Sequence, residues 1–185
     1  MDKAKISSTV RTMQLITVGL VMGIAMFATV TIVARSQPDG EAPNSMMLTT
    51  IALGFAVVMI LARTVVPRMI ATTIVNGMVK GKSSPFLPAS ANRPDAPIEK
   101  RFVAAYQTTL IIGHAMVEAP AFLLLVSFML EGQWVAFGGG AAMALLMLAG
   151  FPTLSGVSAW IEQQQVRLRD EGSFDNWVGG ESQPG

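Results

Sequence analysis

The chain has 185 residues and a mean hydropathy of +0.51; 51% of its residues are hydrophobic and 14% are charged, against about 25% charged in an ordinary soluble domain. Its 13 basic and 12 acidic side chains avoid four stretches, 13–34, 46–62, 102–130 and 132–161, which together hold 98 residues and a single charge. That pattern is membrane-protein composition and excludes a disordered chain or a soluble enzyme domain. A net charge of +1 offers no excess basicity for nucleic acid, and the absence of cysteine excludes disulfides, thiolate nucleophiles and Cys-held metal or iron–sulfur centres.

The first apolar run, 13–34, has 22 uncharged residues, long enough at 1.5 Å per residue for roughly 33 Å of bilayer. Lys3, Lys5 and Arg11 precede it. It is read as a membrane span because it exceeds a signal-peptide core and no convincing A-x-A site follows. The second span, 46–66, carries Arg63 near its end, read as a snorkelling anchor. Beyond Pro67, Ile70, Ile74 and Met78 share one helical face and Thr72, Asn76 and Lys80 the other, the pattern of an interfacial amphipathic extension. Residues 81–97, rich in Pro, Ser, Ala and Asn, read as an irregular cytoplasmic linker.

The third span, 102–130, is the longest, and Asp95 with Pro97 reads as its N-cap and first-turn proline. The fourth, 134–151, opens on Trp134 and closes at Phe151-Pro152. Leu154, Val157, Trp160 and Ile161 then recur at helical spacing as a second short amphipathic segment, and the tail 170–185 is polar and Gly-rich. Basic residues flank the N-terminus and the central 63–101 region, whereas the connections 35–45 and 131–133 hold only Arg35. The positive-inside rule therefore puts both termini and the long central loop in the cytoplasm. The expectation is an all-α, integral membrane four-helix bundle of two hairpins, spanning 1–169 as a single unit, with short amphipathic cytoplasmic extensions and a multi-pass place in the cell membrane.

Glu118 is the one ionisable carboxylate inside a span. It lies roughly 24 Å and 18 Å along the helix from the two span ends, close to the bilayer centre. A charge there costs at least ~2.5–3.5 kcal/mol on insertion scales, so it is expected to be neutralised or paired and to face the bundle. His114, the chain's only histidine, stands one turn earlier, and Gln107 falls on the same stripe. The three form a candidate ion or proton site. The alternatives are a self-satisfied polar pair, bonded within itself or to Gln14 or Thr12, that fixes helix packing, and a lipid or quinone site beside Pro120. One His and one Glu are too few for a metal, and no cofactor is expected.

Small residues recur at Gly19-x-x-x-Gly23, at Ala52-x-x-x-Ala56 and over Gly138 to Ala142. They are read as helix-packing positions within the bundle, with self-association as the other use. A shift of 95 positions overlays Leu15-Ile16 on Leu110-Ile111 and Phe27 on Phe122, as an ancient duplication of the hairpin would.

Two resemblances add to this reading. The stretch 110–128, LIIGHAMVEAPAFLLLVSF, resembles the carboxylate-bearing helix of the proteolipid c subunit of rotary ATPases, which implies an ion-carrying role for Glu118. The nearest match to that family's loop signature, Arg35-Ser36-Gln37-Pro38, falls instead in a predicted outer loop. Over most of its length the chain resembles uncharacterised bacterial four-span membrane proteins, through Arg11-Thr12-Met13-Gln14, Leu130-Glu131-Gly132, Phe151-Pro152-Thr153 and Trp160-Ile161-Glu162. That resemblance implies no particular activity. With no nucleophile–base set or phosphate loop in the sequence, the functional expectation is a non-enzymatic structural or accessory membrane component. Its expected partners are the lipid bilayer and a homo-oligomer or larger membrane complex, with no nucleic acid.

Overall fold

A computed structural model of the chain describes residues 3–36, 45–79, 84–93 and 96–166, with side chains from residue 7 onward. Asp95, Lys80, the Gln37-Pro38 pair and the tail 170–185 lie outside the described residues. The described residues form five helices and no strand: α1 (Lys3–Arg35), α2 (Met47–Val79), α3 (Ile98–Glu131), α4 (Trp134–Ala149) and α5 (Leu154–Val166). Three helices are long and apolar enough to cross a membrane, and a fourth crossing results if α4 and α5 count as one broken span.

Helix is the conformation that such segments require, because in hydrocarbon each backbone N–H and C=O must find its partner within the segment. Five hydroxyls inside the helices follow the same rule. Thr29 donates to the Ala25 carbonyl, Thr50 to Met46, Thr73 to Met69, Thr109 to Ala105 and Ser127 to Leu123, all at 2.8–3.0 Å. Each polar side chain is thereby satisfied on its own helix, four residues back.

Helix α2 runs without a break through Pro67, and α3 through Pro120. The helix that carries the second apolar run therefore continues past residue 66 into the amphipathic segment. The fourth apolar run is shorter than expected: α4 ends at Ala149, where Gly150 returns its N–H to the Met147 carbonyl, 3.1 Å away. At the start of α3 the Pro97 carbonyl accepts from Lys100 and Arg101. Pro97 is thus the residue immediately before the helix, one place earlier than a first-turn proline.

The chain divides into two compact units. The first takes the described parts of Met1–Val10, Arg68–Thr109 and Pro152–Gly185. Its core joins Ile74, Val75 and Met78 of α2, Phe102 and Ala105 of α3, and Val157 and Ile161 of α5. The two amphipathic faces read from the sequence thus supply buried residues, and the Trp160 ring meets Tyr106 edge-on at 5.4 Å. The described part of the 81–97 linker is a non-helical connection of turns and bends, irregular as its composition suggests. Ser84 N–H donates to Asn92 Oδ1 at 2.8 Å, Thr108 donates to the Phe86 carbonyl, and Leu87 and Ala91 are buried.

The second unit, Arg11–Pro67 with Leu110–Phe151, holds most of the apolar length. Its core includes Ile24, Ala52, Ala56, Val117, Leu124, Leu125, Phe128 and Met147. Helices α1 and α3 run parallel in it: Thr17 meets His114 and, further along both, the Phe27 and Phe122 rings meet edge-on at 5.3 Å. Helix α4 returns antiparallel along α3, with Gly140 against Ala121 and Leu125, and Phe137 against Phe128.

Candidate functional site

In the second unit, two charged side chains, Glu131 and Arg63, are directed to the ends of neighbouring helices. Glu131, the last residue of α3, accepts from the Leu48 N–H at 2.7 Å through Oε1 and from the Thr49 N–H at 2.8 Å through Oε2. These amides belong to the first turn of α2, which has no acidic residue of its own there. One carboxylate thus satisfies two of the orphan donors of a helix start and sits at the positive end of its dipole. The side chain is 6% exposed.

Gly132 makes this geometry possible. It has φ of 70° and its N–H returns to the Phe128 carbonyl at 2.8 Å, closing α3 in a left-handed cap that glycine adopts without steric cost. A Cβ on Gly132 would strike the guanidinium of Arg35, which lies over it.

Arg63, read from the sequence as a headgroup anchor, reaches the end of α4. Its Nη1 donates to the Leu146 carbonyl at 3.4 Å, and its Nη2 lies beside Gly150. Leu146 lies in the last turn of α4 and Gly150 just beyond it, where carbonyls lack helical partners and a cation complements the dipole. Glu131 and Arg63 therefore perform matched tasks, an anion at one helix start and a cation at one helix end.

Of the predicted site residues, His114 is buried, Glu118 is half-buried and Gln107 belongs to the first unit. His114 Nδ1 stands 2.9 Å from the Leu110 carbonyl and Nε2 stands 3.4 Å from Thr17 Oγ1 on α1. Thr17 is thus a partner that α1 supplies to His114. The charges acting on the imidazole are those of Arg63 from α2 and Glu118 from α3. No hydrogen bond to the Glu118 carboxylate occurs among the described residues, and no cluster of three or more metal-ligating side chains occurs among them either. An apolar groove of about 280 Å³ lies between Ile24 and Ala28 of α1 and Gly140 and Ala144 of α4, with Leu125 beneath.

The glycine patterns separate by position. A Cβ at Gly139 or Gly140 would lie 3.1 Å from Leu124 or Leu125, whereas nothing lies within 4 Å at Gly19 or Gly23. Within one chain, close approach is made by α4 and by the buried Ala52 and Ala56. Substituting Leu at Gly140 is expected to destabilise by about 1–3 kcal/mol through overpacking. Leu at Gly19 or Gly23 is expected to leave the monomer's thermal unfolding in detergent unchanged or slightly improved, glycine being a poor helix former. A loss of stability at Gly19 equal to that at Gly140 would contradict this arrangement.

No protein-family model, curated protein or solved structure matches the chain.

Proposed function

We propose that the chain is a multi-pass component of the cell membrane, a four-helix bundle of two hairpins with both termini and the 81–97 connection in the cytoplasm, acting as a non-enzymatic structural or accessory part. The orientation rests on the basic residues that flank the spans and on the parallel course of α1 and α3, which suits two N-terminal ends on one membrane face. The accessory role rests on one observation: Glu131 and Arg63 are engaged with the ends of neighbouring helices, as fastenings are, instead of converging on a cavity.

Mild-detergent extraction from the native membrane is expected to yield an assembly larger than the 19.6 kDa chain. Substrate turnover by the purified protein, lost in Glu118→Gln or His114→Ala, would refute the role. A reporter fused within 81–97 that reads extracytoplasmic would refute the orientation.

A second reading is favoured by Glu118 itself. It is half-buried inside an apolar helix, and its charge acts on His114. A carboxylate so placed suits a proton- or ion-translocating subunit. The expected results are labelling of Glu118 by dicyclohexylcarbodiimide and loss of proton flux in Glu118→Gln liposomes. Resistance to the reagent at every pH, or unchanged flux, would sink this reading.

A further inference from the structure

The surroundings of His114 determine which of its nitrogens can exchange a proton. The ring is 2% exposed and Thr17 is 1% exposed. Nδ1 lies 2.9 Å from the Leu110 carbonyl oxygen. A carbonyl can only accept, so the hydrogen of that bond belongs to Nδ1. Nε2 is then the nitrogen whose proton is optional. It faces Thr17 Oγ1 at 3.4 Å, and that hydroxyl also lies 3.0 Å from the Met13 carbonyl of its own helix.

A threonine hydroxyl has one hydrogen and can both donate and accept. With Nε2 bare, the Thr17 hydrogen can point to Nε2. With Nε2 protonated, the N–H donates to Thr17 Oγ1 and the hydroxyl hydrogen turns to the Met13 carbonyl. Either state of the ring is therefore hydrogen-bonded at both nitrogens, and rotation about one C–O bond separates them. That is an unusual provision for a histidine buried among apolar helices, since an unpaired buried polar group is costly in one state or the other.

We propose that His114, Thr17 and the Met13 carbonyl form a single-proton binding site, with Nε2 of His114 as the atom that takes the proton and the Thr17 hydroxyl as the two-way element. One N–H bond forms at Nε2 as an O–H bond of a hydronium ion breaks and leaves water; no bond within the protein breaks, and the site gains one positive charge. The charged groups that act on it are Arg63 from α2 and Glu118 from its own helix. This deepens the translocation reading by naming His114 as the atom-level acceptor beside Glu118.

The test uses the full chain in phosphatidylcholine and phosphatidylglycerol vesicles, labelled with ¹⁵N-histidine. Because the chain has one histidine, its two ring nitrogens give one resonance each. At alkaline pH the expected spectrum has a protonated Nδ1 and a bare Nε2, and acidification converts Nε2 alone. Thr17→Val should leave Nδ1 unchanged and move the Nε2 resonance to that of a nitrogen without a hydrogen-bond partner, while Thr17→Ser should keep the wild-type spectrum. An alkaline ring protonated on Nε2, an Nε2 resonance unmoved by Thr17→Val, or a ring that takes up no proton while circular dichroism stays native would each overturn the site. The wild-type spectrum decides the tautomer even if Thr17→Val does not fold. Flux that survives Glu118→Gln while the ring titrates as stated would overturn translocation alone; the wrong tautomer would overturn this site alone.

Discussion

Replacing Glu131 with Ala is expected to open the start of α2, with amide exchange at Leu48 and Thr49 rising on the order of tenfold, the usual scale of a lost helix cap. The two N–H groups that its carboxylate receives have no other acceptor in the helix, because the first turn of any helix lacks one. Ser45 offers only a longer contact, 3.3 Å from the Met47 N–H. The same substitution releases the end of α3 from α2, so the connection loses its tie as well as its cap. Glu131→Gln should fall between Ala and wild type: its amide oxygen can still accept from one donor, but the charge that complements the helix dipole is gone. Hydrogen exchange in lipid nanodiscs reads this directly. Unchanged protection at Leu48 and Thr49 in Glu131→Ala would show that the cap contributes nothing.

Phe128→Ala should give the largest loss of stability from any single core position in the second unit, about 3 kcal/mol. The ring is 1% exposed and touches Trp134 at 5.0 Å and Phe137 at 5.1 Å between centroids. Truncation of a buried aromatic ordinarily costs about 3–5 kcal/mol, as lost transfer from water plus a residual cavity. Inside a bilayer the transfer contribution shrinks, since lipid is as apolar as the core, while the lost packing remains; the lower end of the range is therefore expected. Phe128→Leu, which refills much of the space, should recover most of the loss. Denaturation in mixed micelles measures both. A Phe128→Ala variant as stable as wild type would mean that neighbouring rings relax to fill the cavity.

These two residues show where sequence reasoning stopped. Phe128 is one of 28 uncharged residues in a span with a single charge, and nothing local distinguishes it from the exposed Leu130 two positions on. Glu131 reads as an ordinary charge at a span end. Its partners are 83 and 82 positions away, so no short window contains both. The signal that could have found it is a deficiency: α2 begins without an acidic first turn, and a nearby carboxylate followed by glycine, Glu131-Gly132, is suited to supply one. Arg63 was visible as a charge in a span, but its acceptor on α4 was not. His114 stands out in the sequence as the chain's single histidine, yet Thr17, which it meets, lies 97 positions away and is one of several hydroxyls on α1.

The sequence by itself determined that the chain is helical and membrane-spanning, because bilayer thickness fixes the length of an apolar run and hydrocarbon leaves its backbone no partner outside the helix. It also marked the amphipathic faces around Ile74 and Val157, since a period of 3.6 residues is local information. Which charge meets which helix end, and which glycines are pressed against a neighbour, follow from the packed structure alone. Those outcomes depend on the rotation and register of helices distant in sequence, and apolar surfaces, which pack in many registers, leave that choice to the whole set of contacts at once.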